Sequence, residues 1–541
     1  MAAGQTIFLR RREIRVSAAD TTPSRRWLLA VLLLALATGS YCIGTSLGSS
    51  FRECQTAMVT RNLWRDGPVG LFYSRIDWFG SAPGYMMLEF PLYNAAVAVV
   101  YAVAGPHDWL GRIVSVLCSL GAIALLYGIV RRLDNERTAL VAAALMALTP
   151  LQQSIGQSFL PEPMLMLCLL ASLYAMVRYA EGSPGGWLAL AAALACAATL
   201  VKSPAGLALF GPLLFLAWTR FGWNALLRPS LWLAAAFALG VYFFWQRHAD
   251  HINAQHYPFI LSTSPDQRLW VFGTLAMRWD WHFYAQVAGR LAVYLSPVIV
   301  AAAAVALFKR PAHSRAWLWH AWLAANAGYV LLCANLHFRH KHYQIVFVPI
   351  LAVLAARTVI AWWPRRRLVV AAAAALLVVY DAQIGWQLWR EQRDPLVERA
   401  CAALREVSAP QDLVVVAVFD GPGGLTANHH NNPVWLYHAD RRGWNAPMYG
   451  QFDAAAVERY QQQGARWLLL NLVTQPDDGT NGASHKTTTG WRRTGALFGM
   501  AEQPPARPDE RLASLAKELA GRYRCASPAG EAFAVFDLRG L

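Results

Sequence analysis

Arg112-Ile113-Val114-Ser115-Val116-Leu117-Cys118-Ser119-Leu120-Gly121-Ala122-Ile123-Ala124-Leu125-Leu126-Tyr127-Gly128-Ile129-Val130 is closed at once by Arg131-Arg132. A bilayer core of about 30 Å takes roughly 17–25 apolar residues per helix, and this run has that length. The two arginines behind it mark its cytoplasmic end, since Lys and Arg collect on that side. One span with a signed end gives a reference for the rest of the chain.

Ten more segments read the same way: 27–47, 138–152, 162–180, 187–201, 204–219, 229–246, 290–308, 316–333, 343–361 and 368–385. The composition agrees. Of 541 residues 56% are hydrophobic and 15% charged, at a mean hydropathy of +0.29. An ordinary soluble chain carries about 25% charged residues, so a soluble enzyme is excluded. The 23 Trp and 19 Tyr suit the two membrane–water interfaces. With a cytoplasmic N-terminus, the inner segments hold Arg10, Arg11, Arg12, Arg15, Arg25, Arg26, Arg131, Arg132, Arg137, Lys309, Arg310 and Arg365-Arg366-Arg367, with few acids among them. The formal net charge of +16 is therefore a topology signal and not a nucleic-acid footprint.

The apolar stretch Pro91–Ala104 is short for a span, and counting it would invert every later loop. It reads as a helix at the outer membrane surface. The resulting fold class is a polytopic α-helical membrane protein of about eleven transmembrane helices with a C-terminal extracytoplasmic α/β domain. The expected division is a basic cytoplasmic tail (1–26), a transmembrane domain (27–385) with outer loops 48–111 and 247–289, and the outer domain (386–541). In that domain Leu413–Val418 and Trp467–Leu472 read as buried strands, and Pro433–Arg441 and Ala454–Gln463 as helices. Asp420-Gly421-Pro422-Gly423-Gly424 lacks the spacing of a dinucleotide fingerprint. Residues 474–510 read as a loop. Cys401 and Cys525 either form a bridge, as an oxidising space would favour, or stay separate thiols.

Ionisable residues gather at the outer mouth, whereas the span centres are nearly free of them. Glu53, Ala57 and Arg61 are four apart and share one helix face. Glu89, Glu162 (in Pro161-Glu162-Pro163), Lys202 and the cationic turn Asn335-Leu336-His337-Phe338-Arg339-His340-Lys341-His342-Tyr343 complete the set. The turn has no compact acidic or Cys partner for a metal, and no cofactor motif is present. Carriers tend to hold ionisable groups near the midplane. Charge at the mouth favours an enzyme over a transporter or flippase of a lipid-linked sugar, with a non-catalytic subunit as a third reading.

The order of one span, a long outer loop opening on an acidic helix, a second long outer loop and a C-terminal outer domain resembles the GT-C glycosyltransferases. The likeness is to the bacterial relatives of protein O-mannosyltransferases and of the lipid A aminoarabinose transferase. It is carried by Glu53 through Gly67, Phe90-Pro91-Leu92, Arg112, Arg131-Arg132-Leu133, Pro161-Glu162-Pro163-Met164, Lys202 and His342-Tyr343. The family's helix opens with Asp-Glu where this chain has Arg52-Glu53, and the Lys before its Pro-Pro-Leu is Glu89 here. The resemblance implies transfer of a sugar from a polyprenyl-phosphate-linked donor to an acceptor hydroxyl outside the inner (plasma) membrane. It makes Glu53 the first candidate for the catalytic base, then Glu89 and Glu162. Arg61, Lys202, Arg339, His342 and Tyr343 become the donor-phosphate candidates. The lipid bilayer and an extracytoplasmic acceptor are the implied partners, with no nucleic acid, cofactor or metal.

Overall fold

The computed structural model describes residues 23–82, 84–311, 314–391, 394–418, 432–446, 451–474 and 507–540. The chain opens with α1 (Pro23–Thr38), α2 (Phe51–Asp66), a short hairpin of β1 (Arg75–Ile76) and β2 (Gly84–Tyr85), and α3 (Leu92–Ala104). Then come α4 (Asp108–Leu133), α5 (Glu136–Ala147), α6 (Pro150–Gly156), α7 (Glu162–Ala180), α8 (Gly186–Val201), α9 (Ser203–Leu207) and α10 (Phe210–Phe221). They are followed by α11 (Pro229–His256), α12 (Pro265–Phe272), α13 (Trp281–Tyr294), α14 (Pro297–Leu307), α15 (Leu318–Leu332), α16 (Ala334–Arg339), α17 (Val348–Trp362) and α18 (Arg367–Glu391).

Among the described residues six helical stretches are long and apolar enough to cross a membrane: 108–133, 162–180, 203–227, 229–256, 341–362 and 367–387. Two bent pairs raise this to at most eight. That is fewer than the eleven runs counted in the sequence, because apolar composition does not reveal breaks. Pro150 starts a new helix 63° from α5, and Ser296-Pro297 turns α14 by 111° from α13. Proline lacks the N–H that continuation needs and clashes with the preceding turn. The first run ends at Thr38 rather than at 47. Neither outer region is a plain loop: 48–111 contains α2 and α3, while α11 runs on to His256.

The helix core joins α4, α5, α7, α8 and α17. Charge sits at its two ends. Glu162 opens α7, and Glu181 just beyond that 19-residue helix pairs with Arg132 at 2.8 Å. At about 1.5 Å per residue the two charged levels are roughly 28 Å apart, close to a hydrocarbon thickness.

The remaining residues add α19 (Pro395–Val407), β3 (Leu413–Ala417), α20 (Val434–Ala439), β4 (Arg442–Asn445), α21 (Ala454–Gln462), β5 (Ala465–Asn471), β6 (Val473–Thr474), β7 (Arg507–Pro508), α22 (Glu510–Ala520), β8 (Arg524–Cys525) and β9 (Phe533–Asp537). The main sheet has the order β4-β3-β5-β9-β8, with β4, β3 and β5 parallel and β9 antiparallel to both of its neighbours. Val414 and Val416 face α19, α20 and the α2 region, and Val415 and Ala417 face α21 and α22. Cover on both faces explains the unbroken apolar run at Trp467–Leu470. The glycine turn at 420–424 and most of 474–510 lie outside the described residues.

One face of this sheet shares its core with α2 and the hairpin. The edge strand β4 also takes up the outer loop: Gly80 N donates to Gly443 O at 2.7 Å and Gly443 N to Asp77 O at 3.0 Å. A Cβ on Gly443 would meet Val414 O at 1.7 Å, so only glycine fits that strand position.

The bridge between Cys401 and Cys525 is not formed. Cys401 is buried in α19 with its Sγ against Trp435 O at 3.4 Å. Cys525 is exposed on the edge strand β8 beside Ser527.

Candidate active site

Helix α2 presents two polar stripes to different surroundings. A helix turns about 100° per residue, so Arg52, Gln55, Thr56 and Val59 form one stripe and Glu53, Ala57 and Arg61 another. The first stripe lines a small open cleft, shared with Ser74, Leu88, Glu89, Phe90, Asn94 and Pro161 among others. The second is buried.

In the cleft Arg52 Nη2 donates to both oxygens of Glu89 at 2.7 Å, and Nη1 to Gln55 Oε1 at 2.6 Å. Glu89 lies in the link before α3, and three contacts fix that link. Asn253 accepts from Met87 N and donates to Met87 O, both at 2.8 Å. Trp245 Nε1 donates to Leu88 O at 3.2 Å, and Phe90 N to Leu200 O at 3.0 Å. Neither Asn253 nor Trp245 was a sequence candidate. Their signal is an eight-residue spacing, two turns on one face of α11.

Beside this pair stands a second, deeper one. Lys202 is held extended between α8 and α9, with Pro204 in the first turn of α9. Its Nζ bonds Glu162 Oε1 and lies 3.9 Å from Glu89 Oε1. Glu162 occupies the first turn of α7, where the helix dipole favours an anion. His342 Nε2 approaches Glu162 Oε1 at 3.8 Å, and Lys202 Nζ lies 4.7 Å from the centre of the Tyr343 ring. Both residues come from the tight turn Lys341–Phe347. The side chains of Lys202 and Glu162 are 2% and 1% exposed, those of Arg52 and Glu89 26% and 24%.

Burial opposes charge throughout, and close pairing overrides it. Burial pushes the Glu89 carboxyl up, but Arg52 and Lys202 outweigh it and hold the group at about 2. Burial lowers Lys202, and Glu162 more than restores it, so the ammonium stays protonated. His340 falls to about 4 through burial and the nearby Lys202, Arg290, Arg339 and Arg52.

Five of the eight expected site residues therefore meet: Glu89, Glu162, Lys202, His342 and Tyr343. Arg52 joins them. It lies on the stripe of α2 next to the one that carries Glu53 and Arg61.

Three residues stand elsewhere. Glu53 accepts from Phe159 N at 2.8 Å and lies 3.6 Å from the buried Arg112, which also bonds the turn at Cys42, Thr45 and Ser46. This ties α2 to α4 and the 157–161 turn and leaves Glu53 no free path to a hydroxyl. Arg61 pairs with Asp77 at 3.3 Å and Asp440 at 2.8 Å, and donates to Tyr437 O at 3.0 Å. It docks the C-terminal sheet and does not face the cleft. Arg339 is exposed, bonds Asn335 at 3.2 Å and stacks 5.0 Å from the Trp270 ring centre. No group of three His, Cys, Asp or Glu with metal-site geometry occurs among the described residues.

Residues 89–245 match the family described as dolichyl-phosphate-mannose-protein mannosyltransferase, and this segment carries Glu89, Glu162 and Lys202. The chain superposes on ArnT from Cupriavidus metallidurans, solved with undecaprenyl phosphate, at a TM-score of 0.61 and 13% identity, over 94% of this chain and 98% of that one. The family match covers less than a third of this chain, and the likeness to ArnT is one of fold. The archaeal oligosaccharyltransferase AglB from Archaeoglobus fulgidus, solved with an inhibitory peptide and a dolichol-phosphate, matches at a TM-score of 0.54 and 12% identity, over 83% of this chain and 69% of that one. At these identities the GT-C likeness is one of fold. No curated protein matches the sequence.

Proposed function

We propose that this protein is a membrane glycosyltransferase that moves a sugar from a polyprenyl-phosphate-linked donor to an acceptor hydroxyl on the extracytoplasmic face of the inner membrane. The observation that carries the reading is the cluster of Arg52, Lys202, His342 and Tyr343 with two carboxylates, beside an open cleft. The structures of ArnT and AglB hold a polyprenyl or dolichol phosphate, which supports the same donor class here.

The lipid phosphate leaves C1 of the donor sugar when an acceptor oxygen attacks. The acceptor O–H proton passes to a carboxylate, the new C1–O bond forms, and the C1–O bond to phosphate breaks with its electron pair on the phosphate. The phosphate gains one negative charge. Fixed cations stabilise that charge more than the diester before it, which is the differential that lowers the barrier. Lys202 and Arg52 are the cations in reach of one point, with His342 and Tyr343 as uncharged donors. Glu89 is the base: it lines the cleft, whereas both the depth of Glu162 and its bond to Lys202 suit an anchor.

The sidedness follows from the charge distribution. With the arginine-rich ends on the cytoplasmic side, the cluster at the opposite charged level faces the outside. Incubating purified protein with a panel of labelled polyprenyl-phosphate sugars and envelope acceptors tests the reaction. Label should move to acceptor with stoichiometric release of polyprenyl phosphate, and Glu89→Gln should reduce turnover about 10²–10⁴-fold. Vectorial movement of the intact lipid-linked sugar without cleavage would mean a carrier instead.

A further inference from the structure

We propose that Arg52 is exchanged between Glu89 and the phosphate of the lipid donor, so that the Glu89 carboxylate becomes a competent base only once the donor is seated. The inference rests on the reading of this cluster as a lipid-phosphate site.

Two ion pairs lie side by side here, and they differ in what breaking them involves. Lys202 and Glu162 are closed off from water, so separating them would strand a buried charge. Arg52 and Glu89 are each about one quarter exposed and border the cleft. Water or an incoming anion can replace either partner there. A phosphate reaching Lys202 comes close to Glu89, because Lys202 Nζ lies 3.9 Å from Glu89 Oε1. It then competes for Arg52 Nη2, which here bonds both Glu89 oxygens, and a guanidinium suits a phosphate as well as a carboxylate.

The charge count points the same way. The groups facing Glu89 are Arg52 from α2, Lys202 after α8, Glu162 from α7, reached through Lys202, and Tyr343 from the Lys341–Phe347 turn. Two cations balance two carboxylates, so a bound phosphate makes the cluster net negative. Glu89 then loses the Arg52 guanidinium and gains an anionic neighbour, and each change favours its protonated form. In the free enzyme Arg52 and Lys202, against the upward push of burial, keep this carboxyl at about 2, too weak a base to take a hydroxyl proton readily. Coupling the base to the donor also keeps the free enzyme from deprotonating an acceptor, or water, before a sugar is present. Arg52 is a positioning residue in this scheme: it acts on the proton transfer through Glu89.

Infrared difference titration of the full-length protein in lipid nanodiscs tests the exchange, with sugar-free undecaprenyl phosphate as the probe. The Glu89 signal is the carboxylic-acid carbonyl band that disappears in Glu89→Gln. Without lipid no such band should grow down to about pH 4; with saturating lipid its midpoint should rise by about one to three pH units. Arg52→Gln, or Arg52→Met if the first variant folds poorly, should show the raised midpoint without lipid. If the lipid binds and the Glu89 band does not move, the exchange is wrong while the donor assignment stands. If undecaprenyl phosphate fails to bind at all, the donor assignment itself falls and the exchange falls with it.

Discussion

Replacing Lys202 by Met should destabilise the protein far more than replacing Arg52 by Gln, although both remove one cation from the same cluster. Lys202 is 2% exposed and its removal leaves Glu162, itself fully buried, with a carboxylate whose second oxygen already lacks a partner. Breaking a buried pair from one side costs about 3–5 kcal/mol, because the remaining charge is stranded. Arg52 and Glu89 are about one quarter exposed, and water can take over the lost bonds, so Arg52→Gln should cost about 1 kcal/mol or less. The Lys202→Met/Glu162→Leu double variant removes both charges and should recover most of the loss, since well-packed apolar groups of similar volume replace such pairs at little cost. Unfolding of a large membrane protein is commonly irreversible, so the assay is the half-life of the folded form at fixed temperature in detergent. Equal losses for the two single variants, or a double variant worse than Lys202→Met, would refute the division into a fixed pair and an exchangeable one.

Glu53→Gln should lower the yield and thermal half-life of folded protein by loosening Arg112, while turnover per folded molecule stays within a fewfold of wild type. Arg61→Ala should increase hydrogen exchange at 434–446, because Arg61 joins α2 to Asp440 and Tyr437 O, and should leave lipid-phosphate affinity unchanged. The folded pKa of Glu89 is depressed, so its stabilising contribution is complete above its ordinary value near 4.5 and disappears as pH falls toward about 2. The stability difference between wild type and Glu89→Gln should therefore be flat at neutral pH and shrink only in acid. His340 is held neutral with a pKa of about 4, so the unfolded chain binds its proton first and stability should fall from about pH 6.5 to 4. His340→Gln should flatten that part of the profile.

Some of this was legible in the sequence because it depends on composition and local period. The arginine-closed run at 112–132 is a helix long enough to span, and Pro91–Ala104 holds a helix too short for one. Val414–Val416 and Trp467–Leu470 showed buried strands. The helix breaks did not register, since Pro150 and Pro297 sit inside apolar stretches whose hydropathy is unaffected by a bend. Which stripe of α2 borders the cleft was not legible for a different reason. Helical spacing identifies residues that share a face but not which face meets the cleft, and α2 has two polar stripes. Glu53 and Arg61 formed a plausible pair along the chain, yet their partners, Arg112 and Asp440, lie far away in sequence. The Arg52–Glu89 pair spans 37 residues and the Lys202–Glu162 pair 40, so only the folded chain brings them together. Asn253 and Trp245, which hold the Glu89 link through its backbone, carry no charge pattern to mark them.

The most direct test is a structure of this chain with undecaprenyl phosphate. The account predicts phosphate density between Lys202 Nζ and the Arg52 guanidinium, within hydrogen-bond reach of both, with Arg52 turned away from Glu89. Phosphate held elsewhere, with the Arg52–Glu89 and Lys202–Glu162 pairs both intact beside it, would contradict the assignment of the site.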